Sequence, residues 1–191
     1  MSVDAQAFKN ALSEFVSGVT VVTTFLPPGP SVAGGALGVE GAKRVEGVEA
    51  AEPGADGRFG MTVSAFSSVS LSPPLVLVCL ANPAATHEAL RKAGVFAVNI
   101  LAQGQADLAM KFAARGPMAD RFQGVALESG TGNLPLLAEA VVAMECRVVA
   151  AHPGGDHTIV VGAVERVVSG QGHDGLVYGK RAFRALGEPL G

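Results

Sequence analysis

The stretch that decides the fold is Gly60–Leu80, GMTVSAFSSVSLSPPLVLVCL, which carries no charged residue. Its first half alternates apolar and polar residues, and this period of two is typical of a β-strand. The second half, Leu75–Ala81, is apolar on both faces and predicts a buried neighbouring strand. The polar positions of the first half are all small hydroxyls, without the charged and amide groups of most solvated strands: Thr62, Ser64, Ser68 and Ser70.

Two interpretations of this hydroxyl segment are open. Serine and threonine on a strand most often face water, so a solvated face is the simpler interpretation. A buried hydroxyl, in contrast, must find a hydrogen-bond partner. A ligand with carbonyl, ring-nitrogen and phosphate acceptors would supply such partners without a lysine. The apolar neighbouring strand favours this second interpretation.

Composition excludes several classes of protein. The chain has 191 residues, 49% hydrophobic and 5% aromatic, with a net charge of −3 and no basic run. This indicates a folded domain and argues against a nucleic-acid surface. The two cysteines, Cys79 and Cys146, form no C-x-x-C pair, so we expect reduced thiols, no metal site and a cytoplasmic protein. The apolar run Leu75–Ala81 is too short to span a membrane, and no signal-peptide pattern is found.

The chain is expected to form one domain, 1–191, interrupted by an insertion. Apolar residues at three- and four-residue spacing predict a first helix, begun by Asp4 and ended by Gly18, with an apolar face: Phe8, Leu12, Phe15 and Val16. A strand at Val19–Phe25 follows. The insertion, at about 26–57, is rich in Gly, Pro, Ala and Glu, and we expect a surface loop there; a lid or a partner contact is the alternative.

The second half adds further strands without a regular strand–helix alternation. Val141–Ala150 alternates, which predicts Cys146 inside and Glu145 outside, and Thr158–Val168 is another strand. Thr86–Gly94 predicts a short helix capped by Thr86 or Asn82. Six or seven strands with short helices favour an antiparallel barrel over a doubly wound parallel sheet.

A second candidate for chemistry is the turn that leads into the Thr158 strand, GGDH at 154–157. Gly154 and Gly155 permit a close backbone approach, and Asp156 can hold the ring of His157 in one orientation. A plain turn with an exposed histidine is the alternative. No serine elbow or cluster of metal ligands lies nearby in the sequence to recruit this histidine for nucleophilic or zinc chemistry.

Taken in order, these motifs resemble the flavin reductase family, the small FMN-binding split-barrel partners of two-component flavin monooxygenases. The similarity runs from about Phe8 to Leu186 and leaves out the insertion. Besides GMTVSAFSSVSLSPPLVLVCL, the motifs that carry it are FAVNIL (96–101), LAMKFA (108–113), DRF (120–122), LPLL (134–137), AMEC (143–146) and GDHTIVVGAV (155–164).

The resemblance implies a mainly β fold with short helices, an antiparallel, Greek-key-like split β-barrel that binds FMN or, loosely, FAD. It implies a homodimer and an NAD(P)H-dependent flavin reductase. NADH or NADPH would bind over the flavin and pass a hydride to its N5 atom, and the reduced flavin would diffuse to a partner oxygenase. The nucleotides carry this chemistry, while the protein supplies orientation.

The resemblance also assigns site residues by position. The flavin contacts would be Thr62, Val63, Ser64, Ser67, Ser68, Val69, Ala81, Asn82, Thr86 and Phe112. The first three would line the ring and the ribityl chain, and the next three would continue along the ribityl chain and the phosphate. Ala81, Asn82 and Thr86 would form a second phosphate-side segment, and Phe112 would cover part of the flavin. His157 would be the catalytic residue, placed near the nicotinamide, and Tyr178 would lie near the same ring.

Two other functions remain open on the same fold. One is a non-catalytic flavin-binding carrier or sensor, and the other is a self-contained oxidase of the pyridoxamine-phosphate oxidase type. The oxidase would need more basic residues around its ligand phosphate than 82–92 offers. The carrier would need no place for a nicotinamide, so the G-D-H turn favours the reductase.

Overall fold

The computed structural model describes residues 3–27, 56–170 and 174–189. Its helices are α1 Ala5–Ser13, α2 Ala85–Ala93, α3 Ala106–Ala113 and α4 Met118–Phe122. Its strands are β1 Ser17–Gly18, β2 Thr20–Phe25, β3 Arg58–Val63, β4 Phe66–Leu71, β5 Pro74–Ala81, β6 Val95–Ile100, β7 Leu127–Ser129, β8 Pro135–Leu137, β9 Val142–Gly154, β10 His157–Ser169, β11 Val177–Gly179 and β12 Ala182–Arg184. The insertion expected at about 26–57 lies almost wholly outside the described residues.

Most described strands form one antiparallel sheet of seven, in the order β3-β2-β6-β9-β10-β5-β4. Its two outer strands, β3 and β4, are consecutive in the chain and meet at a sharp bend, where Phe66 N donates to Ser64 O at 3.0 Å. The sheet therefore curls back on itself without a ladder between its outer strands, as an open barrel. The predicted fold class, mainly β and antiparallel with short helices, is confirmed.

Two apolar cores lie on the two sides of this sheet. Side chains from β2, β5, β6 and β10 fill the inside of the curve, where Val22, Val78, Leu80 and Phe96 are fully buried. The other core packs α2, α3 and α4 against β2 and β3. The central strand β2 is buried on both faces: Val21 lies in the helix-side core and Val22 in the core inside the curve, and its β-branched threonines are buried as well.

The two longer amphipathic helices begin in different ways. Asp4 Oδ2 accepts from Ala7 N at 2.9 Å, so the predicted cap of α1 is confirmed, although the helix ends at Ser13, before Gly18. The predicted cap of α2 is wrong, because Ala84 occupies that position and no side chain caps the helix; Gly94, with φ of 71°, ends it. No helix within the described ranges is long and apolar enough to cross a membrane.

One strand residue faces the opposite way from the prediction. Glu145 on β9 is 4% exposed, not outward in water. Its carboxylate accepts from Arg166 Nη1 at 2.7 Å and from Thr131 N at 3.1 Å. Burial by itself would raise the pKa of Glu145, but these hydrogen bonds outweigh it and lower the pKa. The hydrogen bond from Thr131 N anchors the 131–133 turn against the sheet.

We expect Gly162→Ala to lower the free energy of unfolding by about 1–3 kcal/mol, the usual cost of overpacking a core. A Cβ at Gly162 would lie 2.5 Å from Cζ of the buried Phe96 and 3.0 Å from Cβ of Cys146. Urea denaturation followed by circular dichroism measures the change. Gly104→Ala is the matched control because nothing lies within 4 Å of its added Cβ. Equal stabilities of the two variants would contradict the packing.

Candidate functional site

The candidate site is centred on the hairpin that joins β9 and β10. Gly155 and Asp156 form its two-residue loop, since His157 pairs with Gly154. Gly155 has φ of 72°, a conformation that glycine adopts without strain and that the first central position of a type II′ hairpin turn requires. The sequence G-G-D-H therefore folds as a tight turn and places His157 at the first position of β10.

His157 is held in one orientation and remains accessible. Its Nδ1 lies 2.7 Å from Asp156 Oδ1, and 44% of its side chain is exposed. The hydrogen bond from the imidazole lowers the pKa of Asp156, which keeps this residue a carboxylate acceptor. Nδ1 therefore donates to it, and Nε2 is the ring nitrogen that can meet a ligand. Across the ladder, His157 pairs with Ala81 at the end of β5.

The hydroxyl segment is not the single buried strand that its alternation predicted. It is divided between β3 and β4 by the bend at Ser64–Ala65, and a bulge interrupts the β4–β5 register between Ser68 and Ser70. Ser64, Ser67 and Ser68 are exposed, and Val69 is 48% exposed. In the single chain these hydroxyls are therefore open to water or to a ligand, and the expected burial was wrong.

The side chains of Thr62 and Val63 are occupied by the protein itself. Thr62 Oγ1 donates to Ala109 O on α3 at 2.6 Å, and Val63 is 4% exposed inside the barrel. Their backbone differs, because β3 is an edge strand. Gly60 N donates to Met118 Sδ and Gly60 O accepts from Arg121, both on α4 and away from β2. By the period of two, the N–H and C=O of Thr62 also point away from β2.

The N-terminus of α2 holds a buried hydroxyl without a partner. Thr86 is 1% exposed, and its Oγ1 makes no hydrogen bond within the protein. A buried hydroxyl of this kind normally has a partner, so the position suits an acceptor group of a bound ligand. Backbone N–H groups at a helix N-terminus favour an anion. The predicted phosphate side therefore has a donor available at Thr86.

Asn82 connects this part of the chain to the hairpin. Its N–H donates to Asp156 O at 3.0 Å and its Nδ2 to Gly155 O at 3.2 Å, while its Oδ1 accepts from Thr158 Oγ1 at 2.8 Å. The amide expected to contact a flavin thus bonds the turn that carries His157. Thr158, which the sequence reading had not assigned to the site, follows His157 and is 4% exposed, as strand alternation would indicate.

Two predicted site residues lie elsewhere. Phe112 is 1% exposed, and its ring stands edge-on to Phe122 with centroids 5.0 Å apart, so it faces protein and packs behind β3. Tyr178 is 36% exposed in the small β1-β11-β12 sheet, where its ring contacts Phe183. Within the described residues, no hydrogen bond or ring contact joins Tyr178 to the hairpin.

Arg121 was missed as a residue of interest, although the DRF motif contains it. Its Nη1 donates to Gly60 O at 2.9 Å, its Nε is buried without a partner, and desolvation lowers its pKa. It fixes the edge of β3 just before Thr62. In the described part of the chain, no three His, Cys, Asp or Glu side chains are grouped so that they could hold a metal ion.

The described chain offers an oriented imidazole at His157, exposed hydroxyls on β4, an open edge at β3 and the N-terminus of α2. These groups can hydrogen-bond and orient a ligand that is rich in acceptors. They include no activated nucleophile, and the thiol of Cys146 is inert because burial raises its pKa to about 12. Binding and alignment, not acid–base or covalent catalysis, are what this geometry provides.

Comparison with known proteins gives a consistent result. The flavin reductase like domain family matches residues 12–187. The FMN reductase (NADH) RutF 1 of Methylorubrum extorquens (strain PA1) is 32% identical over 97% of this chain and 78% of its own length. The reductase component of 4-hydroxyphenylacetate 3-monooxygenase from Thermus thermophilus is 38% identical over 95% of this chain and 96% of its own.

A solved structure agrees with these relatives. The NADH:FAD oxidoreductase SgcE6 of Streptomyces globisporus C-1027 superposes with a TM-score of 0.76 at 31% identity, over 98% of each chain. The same protein has been solved in complex with NAD and FAD fragments. The chain therefore belongs to the flavin reductase-like family, and the family, the split-barrel fold class and the flavin reductase activity predicted from its motifs are confirmed.

Proposed function

We propose that this protein, as one cytoplasmic domain, is an NAD(P)H:flavin oxidoreductase whose reduced product serves a partner oxygenase. Membership of the flavin reductase-like family supports the activity. The name of the Thermus thermophilus relative, a monooxygenase reductase component, supports the oxygenase partner. The observation that carries the proposal is the oriented, accessible imidazole of His157 beside Ala81, on the sheet that also bears the hydroxyl segment.

The residues present fit a flavin nucleotide. The unpartnered Oγ1 of Thr86, at the N-terminus of α2, would donate to the phosphate. The exposed hydroxyls of Ser64, Ser67 and Ser68 would bond the ribityl chain, and the outward backbone of Thr62 the ring. These donors are neutral, so they would hold a phosphate less tightly than a lysine or arginine would. Weak retention suits a flavin that acts as a diffusible substrate.

The chemistry belongs to the two nucleotides, because hydride passes directly from nicotinamide to flavin. The chain has to align donor and acceptor and exclude misaligned poses. His157 would contact the nicotinamide on the side set by its bond to Asp156. Phe112 supports β3 from behind, and Val69, half exposed beside the serines, would give the ring an apolar contact. Tyr178 would be a second nicotinamide contact, brought to the site by formation of the homodimer proposed below.

We further propose a homodimer. The apolar face of α1 is uncovered in the single chain, since no residue of this helix is buried. The exposed fractions are 56% for Phe8 and 55% for Leu12 on the helix, and 75% for Phe15 and 53% for Val16 in the segment that follows it. Exposed apolar residues that continue from an amphipathic helix into the next segment are typical of a protein–protein contact. The same helix lies beside the β11–β12 hairpin, where Lys180 N donates to Ser13 O, so a contact here would also bury the surface near Tyr178.

We expect the purified protein to oxidise NADH or NADPH when FMN, FAD or riboflavin is added. The measurement is the loss of reduced-nicotinamide absorbance under anaerobic conditions, together with bleaching of the flavin. Each nicotinamide is tested with each flavin, which ranks the pairs by kcat/KM. Flavin binding without any nicotinamide oxidation would contradict the proposal and support a carrier or sensor.

His157→Ala should raise the nicotinamide KM about tenfold or slow flavin reduction by a similar factor, since one positioned contact is worth about 1–1.5 kcal/mol. The flavin KM should stay within about twofold, because the described contacts of His157 are with Asp156 and the β5 end. Steady-state kinetics with each substrate varied in turn, and stopped-flow reduction, measure the split. A loss of flavin affinity alone would show that His157 belongs to the other half of the site.

Ser64→Leu is the reciprocal control. The larger side chain at the exposed bend between β3 and β4 would obstruct the flavin and raise its KM. The nicotinamide KM, measured at saturating flavin, should change little. If both variants change the same KM, the two halves of the site have been assigned wrongly.

Leu12→Glu should convert the dimer to a monomer, because it places a charge in the exposed apolar face of α1. Sedimentation equilibrium of wild type and variant at several concentrations gives the mass directly. Gln6→Glu, a new carboxylate on the opposite side of the same helix, is the matched control and should remain dimeric. A monomeric wild-type protein would overturn the proposed homodimer.

A further inference from the structure

Asn82 makes an unusual number of hydrogen bonds for a partly exposed residue in a loop. Its backbone N–H and both ends of its side-chain amide bond three residues of the hairpin turn and the start of β10, at 2.8–3.2 Å. The partners are Gly155 O, Asp156 O and Thr158 Oγ1, which lie on either side of His157.

These bonds fix a loop that has little else to fix it. Gly154, Gly155 and Asp156 are exposed, and the loop has no apolar side chain that could anchor it in the core. The ladder between β10 and β5 ends at the pair His157–Ala81, so the turn lies beyond the sheet. Asn82, the residue after Ala81, continues the attachment for one more position through its amide. Without the side-chain amide the turn would keep its internal type II′ geometry and the backbone bond to Asp156 O, but it would lose two of the three bonds that fix its direction relative to β5.

We infer that Asn82 is a positioning residue for nicotinamide binding: it holds the Gly155–Thr158 segment so that His157 faces the nicotinamide. The inference rests on the function proposed above and adds to it a residue that acts through another residue. It also gives Asn82 a different role from the flavin contact that the sequence resemblance implies. An amide that donates to Gly155 O and accepts from Thr158 Oγ1 is directed at the turn.

The test measures separate Michaelis constants for the two substrates. Asn82→Ala removes two side-chain hydrogen bonds to the turn and leaves the backbone bond to Asp156 O possible. We expect the nicotinamide KM to rise about tenfold while the flavin KM and the kcat at saturation stay within about twofold. A merely structural role would lower the melting temperature or the active fraction without separating the two constants.

Asn82→Asp distinguishes an Asn82 side chain that bonds the turn from one that contacts a flavin phosphate. The carboxylate keeps the acceptor for Thr158 Oγ1 but sets an oxygen against Gly155 O, so the nicotinamide KM should rise as in the alanine variant. If Asn82 touched the phosphate directly, the added negative charge would raise the flavin KM by more than the nicotinamide KM. That result would overturn the inference.

Two variants of Thr158, one without the hydroxyl and one with it, provide a second test. This test replaces the first if Asn82→Ala fails to fold. Thr158→Val removes the hydroxyl that bonds Asn82 Oδ1 and should raise the nicotinamide KM about threefold, whereas Thr158→Ser keeps the hydroxyl and should resemble wild type. Asn10→Ala on α1 controls for the loss of an exposed asparagine. An unchanged nicotinamide KM in Thr158→Val and Asn82→Asp overturns the inference.

The failure of this inference can be told apart from failure of the proposed function. If wild type oxidises neither NADH nor NADPH with any flavin, the proposed function fails first and Asn82 has no nicotinamide to position. If wild type is active and the Asn82 variants bind nicotinamide as wild type does, only the role of Asn82 is wrong. The wild-type assay is therefore run alongside every variant.

Discussion

The antiparallel pairing of β5 with β10 is the interaction on which the candidate site depends. It runs from Leu75–Ala163 to Ala81–His157 and buries one face of both strands in the barrel. Because the ladder ends at His157, it brings the G-D-H turn to the segment that leads into α2, across a separation of 76 residues in sequence at the Asn82–Thr158 bond. The helix N-terminus and the histidine thus share one end of the sheet.

In contrast to the paired strands β5 and β10, the strands β3 and β4 lie at the edges of the sheet, and each has one edge without a partner strand. An unpaired edge is usually protected or covered, since its backbone groups can bind another chain. Here Met118 and Arg121 of α4 cover Gly60, and the coverage stops before Thr62. The exposed serines of β4 continue from that point. An edge that is closed by protein at one end and open at the other is a natural place for a planar ligand with hydrogen-bonding groups along one side.

Sequence alone could predict the fold because its signals are local and repeated. Alternation of apolar and polar residues and runs of β-branched residues each indicate a strand, and Gly94 indicates the end of a helix. None of these signals requires knowledge of the neighbouring elements. What failed depended on tertiary partners. Glu145 reads as outward until Arg166, from another strand, is known to meet it. The hydroxyl segment reads as one strand because no residue type marks the bend at Ser64–Ala65. The prediction of the α2 cap failed because the side chain of Asn82 bonds the hairpin turn and that of Thr86 is buried.

The candidate site shows the same difference between local sequence signals and contacts of residues distant in sequence. The turn residues Gly155 and Asp156 could be recognised because their chemistry is local: positive φ for one, an imidazole partner for the other. The supports behind them are distant in sequence and neutral in charge. In the proposed assignment, Asn82 supports the nicotinamide half, whereas Arg121 and α3 support the flavin half through Gly60 and Thr62. These two supports share no hydrogen bond within the described residues, so a change in one is not transmitted to the other through such a bond.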